Sequence, residues 1–415
     1  MQHFHYQHGA LYAEQVALAD IAQRYGTPCY IYSRAAIEQQ WRSYNLALGQ
    51  RPHLICYAVK ANANLAILNL LVRLGSGFDV VSAGELARVI KAGGDPGKVV
   101  FSGVGKQAYE MKAALEAGIK CFNVESRPEL QLLNTVAGQM NHKAPVSIRV
   151  NPDVDAMTHP YISTGLKENK FGISIDEAES VYREAAGFAH LQLTGIDCHI
   201  GSQITSTGPH IDACKRIMQL ATRLKAGGIA LHHIDIGGGL GITYADETPP
   251  DPAEFIRAIT NVITDDNLEL LIEPGRSIVG NAGVLLTSVL FVKETAYKNF
   301  AIVDAAMNDL IRPVLYDAWQ QILPVQQQSR APARIYDVVG PICETGDFLG
   351  LDRRLAIEPG DMLAVCSVGA YGFSMSSNYN ARPRAAEILV DSELSYEIRL
   401  REGIQDLYRG EQILP

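Results

Sequence analysis

The sequence lacks the marks of several large protein classes. Its seven cysteines contain no Cys-x-x-Cys pair and are odd in number, which favours reduced thiols in a cytoplasmic protein. The amino terminus has no charged segment followed by an apolar one, so no signal peptide is predicted. No apolar run reaches the ~18 residues of a membrane span.

Positive charge is also scarce. The chain has 36 Lys and Arg residues against 45 Asp and Glu residues, and its formal net charge is -9. No basic arm or stripe occurs, which argues against a general nucleic-acid-binding protein. A small anionic ligand remains compatible, because it needs only a local positive site. The 415 residues, 47% of them hydrophobic, are enough for two domains.

Short apolar runs rich in β-forming residues alternate with helical segments such as "AGELARVIKAG" and "AEFIRAITNVI". There are eight such runs, at 53–59, 77–81, 98–102, 119–124, 145–150, 191–200, 231–236 and 268–273. Eight alternations over roughly 230 residues predict an α/β fold, a (β/α)8 TIM-like barrel rather than an open doubly wound sheet.

The pattern changes after about residue 280, where strand-like runs such as "VLLTSVLFVKET" and "LSYEIRL" follow one another with few helices between them. This pattern predicts a separate C-terminal β domain. The run "TPCYIYS" near the amino terminus is also strand-like and fits the same domain. The predicted division is a segment 1–32 that joins the β domain, a barrel at 33–280, and the β domain at 281–415.

Polar residues follow the predicted barrel strands at their carboxyl ends, where the chemistry of such barrels takes place. The first, second, sixth, seventh and eighth strands supply, in that order, Lys60; Asp79 and Ser82; His199 and Ser202; Asp235 and Gly237 to Gly239; and Glu273, Gly275 and Arg276. An amine, an imidazole, two glycine turns, an acid and an arginine would meet at one mouth. That set fits pyridoxal 5'-phosphate (PLP), which needs a lysine, a phosphate cradle and an acid at its ring nitrogen. No metal site is predicted.

Each feature alone has a structural explanation. Lys60 can extend its amine to solvent at a strand end, and His199 can be a satisfied core histidine. The run "GGG" can be a plain turn, although glycines also let backbone N–H groups approach an anion. The segment "EPGR" can be a turn with a surface ion pair. The combination favours function, because each feature lies at the same end of a different strand.

The motifs "YAVKAN", "HIGSQ", "DIGGGLG" and "EPGR", in this order, resemble the group IV PLP-dependent decarboxylases with an alanine-racemase-like barrel (fold type III). The stretches "DAAMNDLIRPVLYDA", "GPICETGDFLG" and "GAYGFSMSSNYNARPRAAEIL" make the diaminopimelate decarboxylase family the closer match. The resemblance covers essentially the whole chain. It implies PLP bound in the barrel, a homodimer with shared active sites, and decarboxylation of meso-2,6-diaminopimelate to L-lysine.

The resemblance also implies a role for individual residues. Lys60 would hold the cofactor covalently, His199 would stack on its ring, and Glu273 would hold its ring nitrogen. The other cofactor-binding residues would be Asp79, Ser202, Gly238, Gly239, Gly275, Arg276 and Tyr371. The substrate-binding residues would be Arg276, Arg312, Tyr316, Glu344 and Tyr371.

The chemistry of the substrate supports this division. Diaminopimelate has a carboxylate and an amine at each end, and arginine binds carboxylates with two parallel hydrogen bonds. Glu344 can accept the distal ammonium. Ornithine would leave an arginine unpaired in the pocket, which is costly.

Cys343 has the role of general acid in the resembling family. A lone cysteine is more often an inert core thiol, but this one precedes Glu344 in "GPICETGD". In the family both residues come from the partner subunit. The long loop 151–170, with His159, Tyr161 and Lys170, is predicted to be a lid over the mouth rather than a plain insertion.

Three other functions remain open from the sequence. The first is a decarboxylase for another amino acid such as carboxynorspermidine or ornithine, against which Arg312 and Glu344 argue. The second is a catalytically dead relative, although such proteins usually lose the lysine or the thiol. The third is a racemase on the same barrel, which would use a tyrosine base in place of the Cys-Glu pair.

Overall fold

The computed structural model describes residues 3–155, 169–327 and 331–415. The chain divides into two compact units. The first contains Met1–Gln39, Thr243–Glu247 and Ile278–Pro415, and the second contains Gln40–Ile242 and Thr248–Ser277. Among the described residues, no helix has both the length and the apolar character that crossing a bilayer requires.

Strands and helices are numbered along the chain. The strands of the described residues are β1 Phe4–Gln7, β2 Ala10–Ala13, β3 Val16–Ala17, β4 Cys29–Ser33, β5 His53–Ala58, β6 Gly77–Val80, β7 Val99–Phe101, β8 Cys121–Val124, β9 Ala144–Asn151, β10 Ile173–Ser174, β11 Leu191–Asp197, β12 His233–Asp235, β13 Glu269–Ile272, β14 Gly283–Glu294, β15 Asn299–Val303, β16 Ile322–Pro324, β17 Arg334–Val339, β18 Phe348–Leu355, β19 Met362–Val365, β20 Ala386–Asp391 and β21 Leu394–Arg399. The helices are α1 Leu18–Tyr25, α2 Arg34–Leu48, α3 Leu65–Leu74, α4 Ala83–Lys91, α5 Ala108–Ala117, α6 Arg127–Gln139, α7 Ile175–Ala185, α8 Gly208–Ala226, α9 Pro252–Thr260, α10 Arg276–Val279 and α11 Arg312–Tyr316.

The second unit is a closed barrel of eight parallel strands. They are hydrogen-bonded in the order β9, β11, β12, β13, β5, β6, β7 and β8, and the pairing of β8 with β9 closes the ring. Strands of this kind are buried on both faces and are therefore almost continuously apolar, as the buried run from Leu54 to Ala58 shows. The register places Ala58 level with Asp79, and Asp197 level with Asp235. The closed barrel with a separate β-rich unit confirms the predicted fold class.

Side-chain caps begin the helices that follow the first two barrel strands. Asn64 Oδ1 accepts a hydrogen bond from Ala66 N at 2.9 Å and begins α3. Ser82 Oγ accepts one from Glu85 N at 3.2 Å and begins α4. Such caps satisfy backbone donors that the first helical turn leaves unpaired. The polar residues after Lys60, and Ser82 after Asp79, thus have structural roles.

The first unit is built on β sheets. One sheet has the strand order β18, β17, β15, β14, β4, β20 and β21, with β19 pairing β14 and β16. The strand β4 lies between β14, to which it is antiparallel, and β20, to which it is parallel. The buried core beside these strands includes Cys29, Ile31, Val284, Leu286, Ala364, Cys366, Ile388 and Val390. A small sheet of β1, β2 and β3 contributes Phe4, Leu11 and Ala13 to the same core.

Candidate active site

Lys60 and Asp79 form an ion pair at the carboxyl end of the first barrel strands. β5 ends at Ala58, and a short 3-10 turn over Val59–Ala61 carries Lys60. Lys60 Nζ donates a hydrogen bond of 2.6 Å to Asp79 Oδ2. The Asp79 side chain is completely buried, whereas 39% of the Lys60 side chain is exposed. The amine is thus anchored by a charged hydrogen bond and remains accessible to a ligand.

Two glycine turns follow the neighbouring strands β12 and β13, and β13 pairs with β5, the strand that leads to Lys60. Gly237 and Gly239 have φ angles of +66° and +111°, which favour glycine. A Cβ atom on Gly238 would lie 2.2 Å from the Glu273 carbonyl oxygen, and one on Gly275 would lie 3.0 Å from Ala58 Cβ. A side chain at position 238 would therefore clash with the backbone of Glu273, and one at position 275 would be tight against Ala58.

The glycine turns supply donors for an anion. Within the described residues, the backbone N–H groups of Gly239 and Gly275 donate no hydrogen bond to another residue. Arg276, which is 5% exposed, donates from Nη2 to Ser202 Oγ at 3.0 Å. Backbone N–H groups beside a guanidinium and a hydroxyl make a suitable cradle for a phosphate group.

His199 follows β11 and has a half-buried, neutral ring. Burial, followed by the positive charges of Arg149 and Lys60, lowers the pKa of His199 well below its usual value. The Gly238 backbone N–H donates to His199 Nδ1 at 3.2 Å, so this nitrogen bears a lone pair. A neutral ring fixed in this way is suited to stacking on a flat ligand.

Glu273 belongs to a cluster of three buried carboxyl groups with Asp197 and Asp235, whose oxygen atoms lie within 4.8 Å of one another. Burial and the neighbouring charges of Asp235 and Asp79 raise the pKa of Glu273 well above its usual value. Burial raises the pKa of Asp235 to about 6. Buried carboxyl groups that raise one another's pKa in this way favour a positively charged ligand group beside them, such as a protonated pyridine nitrogen.

Neighbouring side chains fix the acid cluster. Asn123 Nδ2 and Ser102 Oγ donate to Glu273 Oε1 at 3.3 and 3.5 Å. Asp235 Oδ1 accepts a hydrogen bond from the Gly237 backbone N–H at 2.9 Å. Asp235 therefore contacts the glycine turn and lies in the cluster that contains Glu273. The complete donor set of this barrel end, from amine to anion cradle to acid, fits PLP.

Five predicted site residues lie on the first unit, and two of them belong to one aromatic cluster. The Arg312 guanidinium lies over the rings of Tyr316 and Tyr244, 5.4 Å from each centroid. Arg312 is 6% exposed, and Glu247 Oε2 fixes the Tyr244 loop by accepting from Tyr244 N at 2.9 Å. Two rings that cover a guanidinium restrict its orientation and favour one direction for carboxylate binding.

Cys343 and Glu344 lie on an exposed loop between β17 and β18. Cys343 is exposed, whereas the other six cysteines are buried. Its backbone N–H donates to Asn380 Oδ1 at 2.9 Å. Tyr371 has a φ of +57°, a rare conformation for an aromatic residue that concentrates at functional sites.

The predicted site residues of the barrel thus lie together at the carboxyl end of its strands, and the other five lie on three segments of the first unit.

Of the predicted lid, His159 and Tyr161 lie outside the described residues, and Lys170 Nζ lies over the Phe171 ring at 5.3 Å. Sequence reasoning missed several neighbours of the site, namely Ser102, Asn123, Asp197, Tyr244 and Asn380. An isolated polar residue inside an apolar run, as in "CFNV" or "TGIDCHI", is the signal that indicates Asn123 and Asp197.

Comparison with known proteins identifies the family of the chain. The family model described as "Pyridoxal-dependent decarboxylase, pyridoxal binding domain" matches residues 34–280. The diaminopimelate decarboxylases of Pseudomonas aeruginosa and Vibrio cholerae are 61% and 60% identical, each over 100% of both chains. The crystal structure of diaminopimelate decarboxylase from Helicobacter pylori complexed with L-lysine is 44% identical, covers 94% of this chain and 98% of its own, and has a TM-score of 0.91. The chain therefore belongs to the diaminopimelate decarboxylases, within the pyridoxal-dependent decarboxylase family.

Proposed function

We propose that the protein converts meso-2,6-diaminopimelate to L-lysine and carbon dioxide with PLP, as the last step of lysine biosynthesis. The observation that carries the proposal is the identity of 60–61% to diaminopimelate decarboxylases over the whole of both chains. The amine, the anion cradle and the buried acid at one barrel end supply the groups that the cofactor requires.

The barrel residues bind and orient the cofactor. Lys60 would hold the aldehyde group of the cofactor through its amine, and Asp79 keeps that amine in place with a hydrogen bond. The phosphate would be held by Gly238, Gly239, Gly275, Arg276 and Ser202, and Tyr371 would also contact the cofactor. His199 would stack on the ring, and Glu273 would hold the ring nitrogen. When bound, PLP supplies an electron-withdrawing ring that stabilises the negative charge left by a departing carboxyl group.

Substrate selection depends on the distal end of diaminopimelate. Arg312, oriented by its two tyrosines, binds the distal carboxylate together with Arg276, Tyr316 and Tyr371. Glu344 accepts the distal ammonium. An amine substrate without the second carboxylate would not give Arg312 an anion to bind, which disfavours ornithine.

Cys343 delivers the proton that replaces the departing carboxyl group. Its Sγ donates to the substrate α-carbon as a general acid. Cys343 and Glu344 are both exposed in the single chain, as expected for residues that complete the site of a second subunit. The proposed assembly is accordingly a homodimer with shared active sites.

Two further points belong to the proposal. The functional division is a segment 1–32, a PLP-binding barrel at 33–280 and a β domain at 281–415, which the match of the family model to 34–280 supports. The location is the cytoplasm, and the seven unpaired cysteines suit a reducing compartment.

The decisive experiment is release of carbon dioxide by the purified protein, with and without added PLP. Meso-diaminopimelate, L-ornithine and carboxynorspermidine are supplied in parallel. The proposal expects PLP-dependent turnover of diaminopimelate with L-lysine as product. Faster turnover of either of the other two substrates would contradict it.

A further inference from the structure

The loop that carries Cys343 is held at its base by one buried carboxylate. Asp347, which is 3% exposed, accepts hydrogen bonds of 2.7 Å from the backbone N–H groups of Ile342 and Met307. The base of the loop is therefore fixed to the core of the β unit. The last residue held by Asp347 is Ile342, so the orientation of the Cys343 side chain depends on other contacts.

Asn380 makes the contact at Cys343 itself. Its side-chain Oδ1 accepts the Cys343 backbone N–H at 2.9 Å. The Asn380 backbone lies in the left-handed region, at φ +56° and ψ +26°, and the next residue, Ala381, also has a positive φ of +53°. A positive φ is unfavourable for alanine, so contacts with the surrounding structure must hold Ala381 in this conformation.

The neighbouring residues show how it is imposed. On one side, Asn378 Nδ2 donates to Glu402 Oε2 at 2.7 Å. On the other side, Arg382 Nε donates to Asn308 Oδ1 at 3.1 Å. The segment is tied down on both sides of Asn380, and its strained turn presents the amide oxygen to the Cys343 loop.

We propose that Asn380 is a positioning residue for the Cys343 thiol, fixing the Cys343 backbone so that Sγ points to the carbon it protonates. The inference rests on the proposed function, in which Cys343 is the proton donor. Proton transfer needs the donor within hydrogen-bonding distance of its target, and a misplacement of about 1 Å in an active site can cost about 100-fold in rate. Asn380 contacts the backbone of Cys343 rather than the substrate, so its loss acts on the chemical step.

Two substitutions separate the hydrogen bond from the backbone conformation. Asn380→Gly tolerates the positive φ and removes the acceptor oxygen. Asn380→Asp keeps a side chain of the same length with an acceptor oxygen, and aspartate also tolerates the left-handed region. Asn141→Gly is the matched control, because Asn141 is an exposed asparagine with φ +56° on the barrel unit.

The experiment measures kcat and KM of the PLP-loaded enzymes with meso-diaminopimelate. Asn380→Gly is expected to lower kcat about 10- to 100-fold with little change in KM. Asn380→Asp is expected to stay within about threefold of the wild type, and so is Asn141→Gly. An unchanged kcat in Asn380→Gly, or an equal loss in Asn380→Asp, would overturn the inference.

A second readout uses the thiol directly. Cys343 is the exposed cysteine among seven, so the pH dependence of iodoacetamide alkylation reports on it. The carboxylate of Asn380→Asp should move the midpoint of this profile to higher pH, because negative charge disfavours the thiolate. An unmoved profile would show that residue 380 does not influence the thiol. Inactivity of the wild-type enzyme would instead overturn the proposed function, and the alkylation profile would still decide whether residue 380 acts on the thiol.

Discussion

The substitution Asp235→Asn should stabilise the cofactor-free protein, and its gain in stability over the wild type should be larger at high pH than at low pH. Asp235 is completely buried, and burial, with the nearby charge of Asp79, raises its pKa from the usual 3.8 to about 6, against the hydrogen bond from Gly237. Glu273 and Asp197 complete the surroundings. An asparagine keeps the size and the acceptor oxygen but cannot ionise.

The sign and size follow from this difference in pKa between the folded and unfolded chain. Below pH 3.8 the carboxyl group is protonated in both states and costs nothing. As the pH rises towards 6, the unfolded chain releases the proton while the folded chain retains it, so stability falls. Above pH 6 the cost is complete, at about 3 kcal/mol for about 2.2 pKa units. At pH 4.5 the same relation gives about 1 kcal/mol.

Urea unfolding of the cofactor-free protein, followed by circular dichroism, measures the effect. The stability gained by Asp235→Asn should be larger at pH 8 than at pH 4.5 by about 2 kcal/mol. Asp246→Asn is the control, because Asp246 is an exposed aspartate. Equal gains at both pH values, or a gain confined to pH 4.5, would refute the reasoning.

Four other predictions concern the proposed site. Borohydride reduction of the PLP-loaded protein should attach the cofactor to Lys60, and peptide mass spectrometry that locates it elsewhere would contradict the assignment. Cys343→Ala should bind substrate but turn it over slowly, whereas normal rates would remove the thiol from the mechanism. Mixing Lys60→Ala with Cys343→Ala subunits should restore part of the activity, and no restoration in demonstrated mixed dimers would count against shared sites. Tyr244→Leu should raise KM about 5- to 30-fold through loss of a cation–π contact with Arg312, whereas Tyr244→Phe should stay within about threefold.

Much of the barrel could be predicted because its strands are local features of the sequence. Each predicted apolar run coincides with a strand. For example, β5 at His53–Ala58 lies within the run 53–59, and β9 at Ala144–Asn151 extends one residue beyond each end of the run 145–150. The strand ends could also be predicted, because parallel strands place their carboxyl ends on one rim. The ion pair between Lys60 and Asp79 follows from the register of two neighbouring strands.

Contacts between distant segments could not be predicted in this way. Tyr244 stacks on Arg312, and Asn380 accepts a hydrogen bond from the Cys343 backbone. The residues of each pair are far apart in the chain, and no periodic pattern in the sequence links them. The three carboxyl groups of the barrel interior meet because β11, β12 and β13 pair side by side in a fixed register, and that register is set between strands about 40 residues apart in the chain. The alternating pattern does not predict the helices α1 and α2, because both precede β5, the first strand of that pattern.

The position of β4 between β14 and β20 has a consequence for synthesis of the chain. This completely buried strand leaves the ribosome early, but its partners begin at Gly283 and Ala386. An apolar strand with both edges open must therefore wait while the whole barrel is translated, and such edges invite aggregation. Truncation before Ala386 would remove β20 and leave one edge of β4 unpaired, so a mutation near the end of the gene would destabilise a strand near the amino terminus.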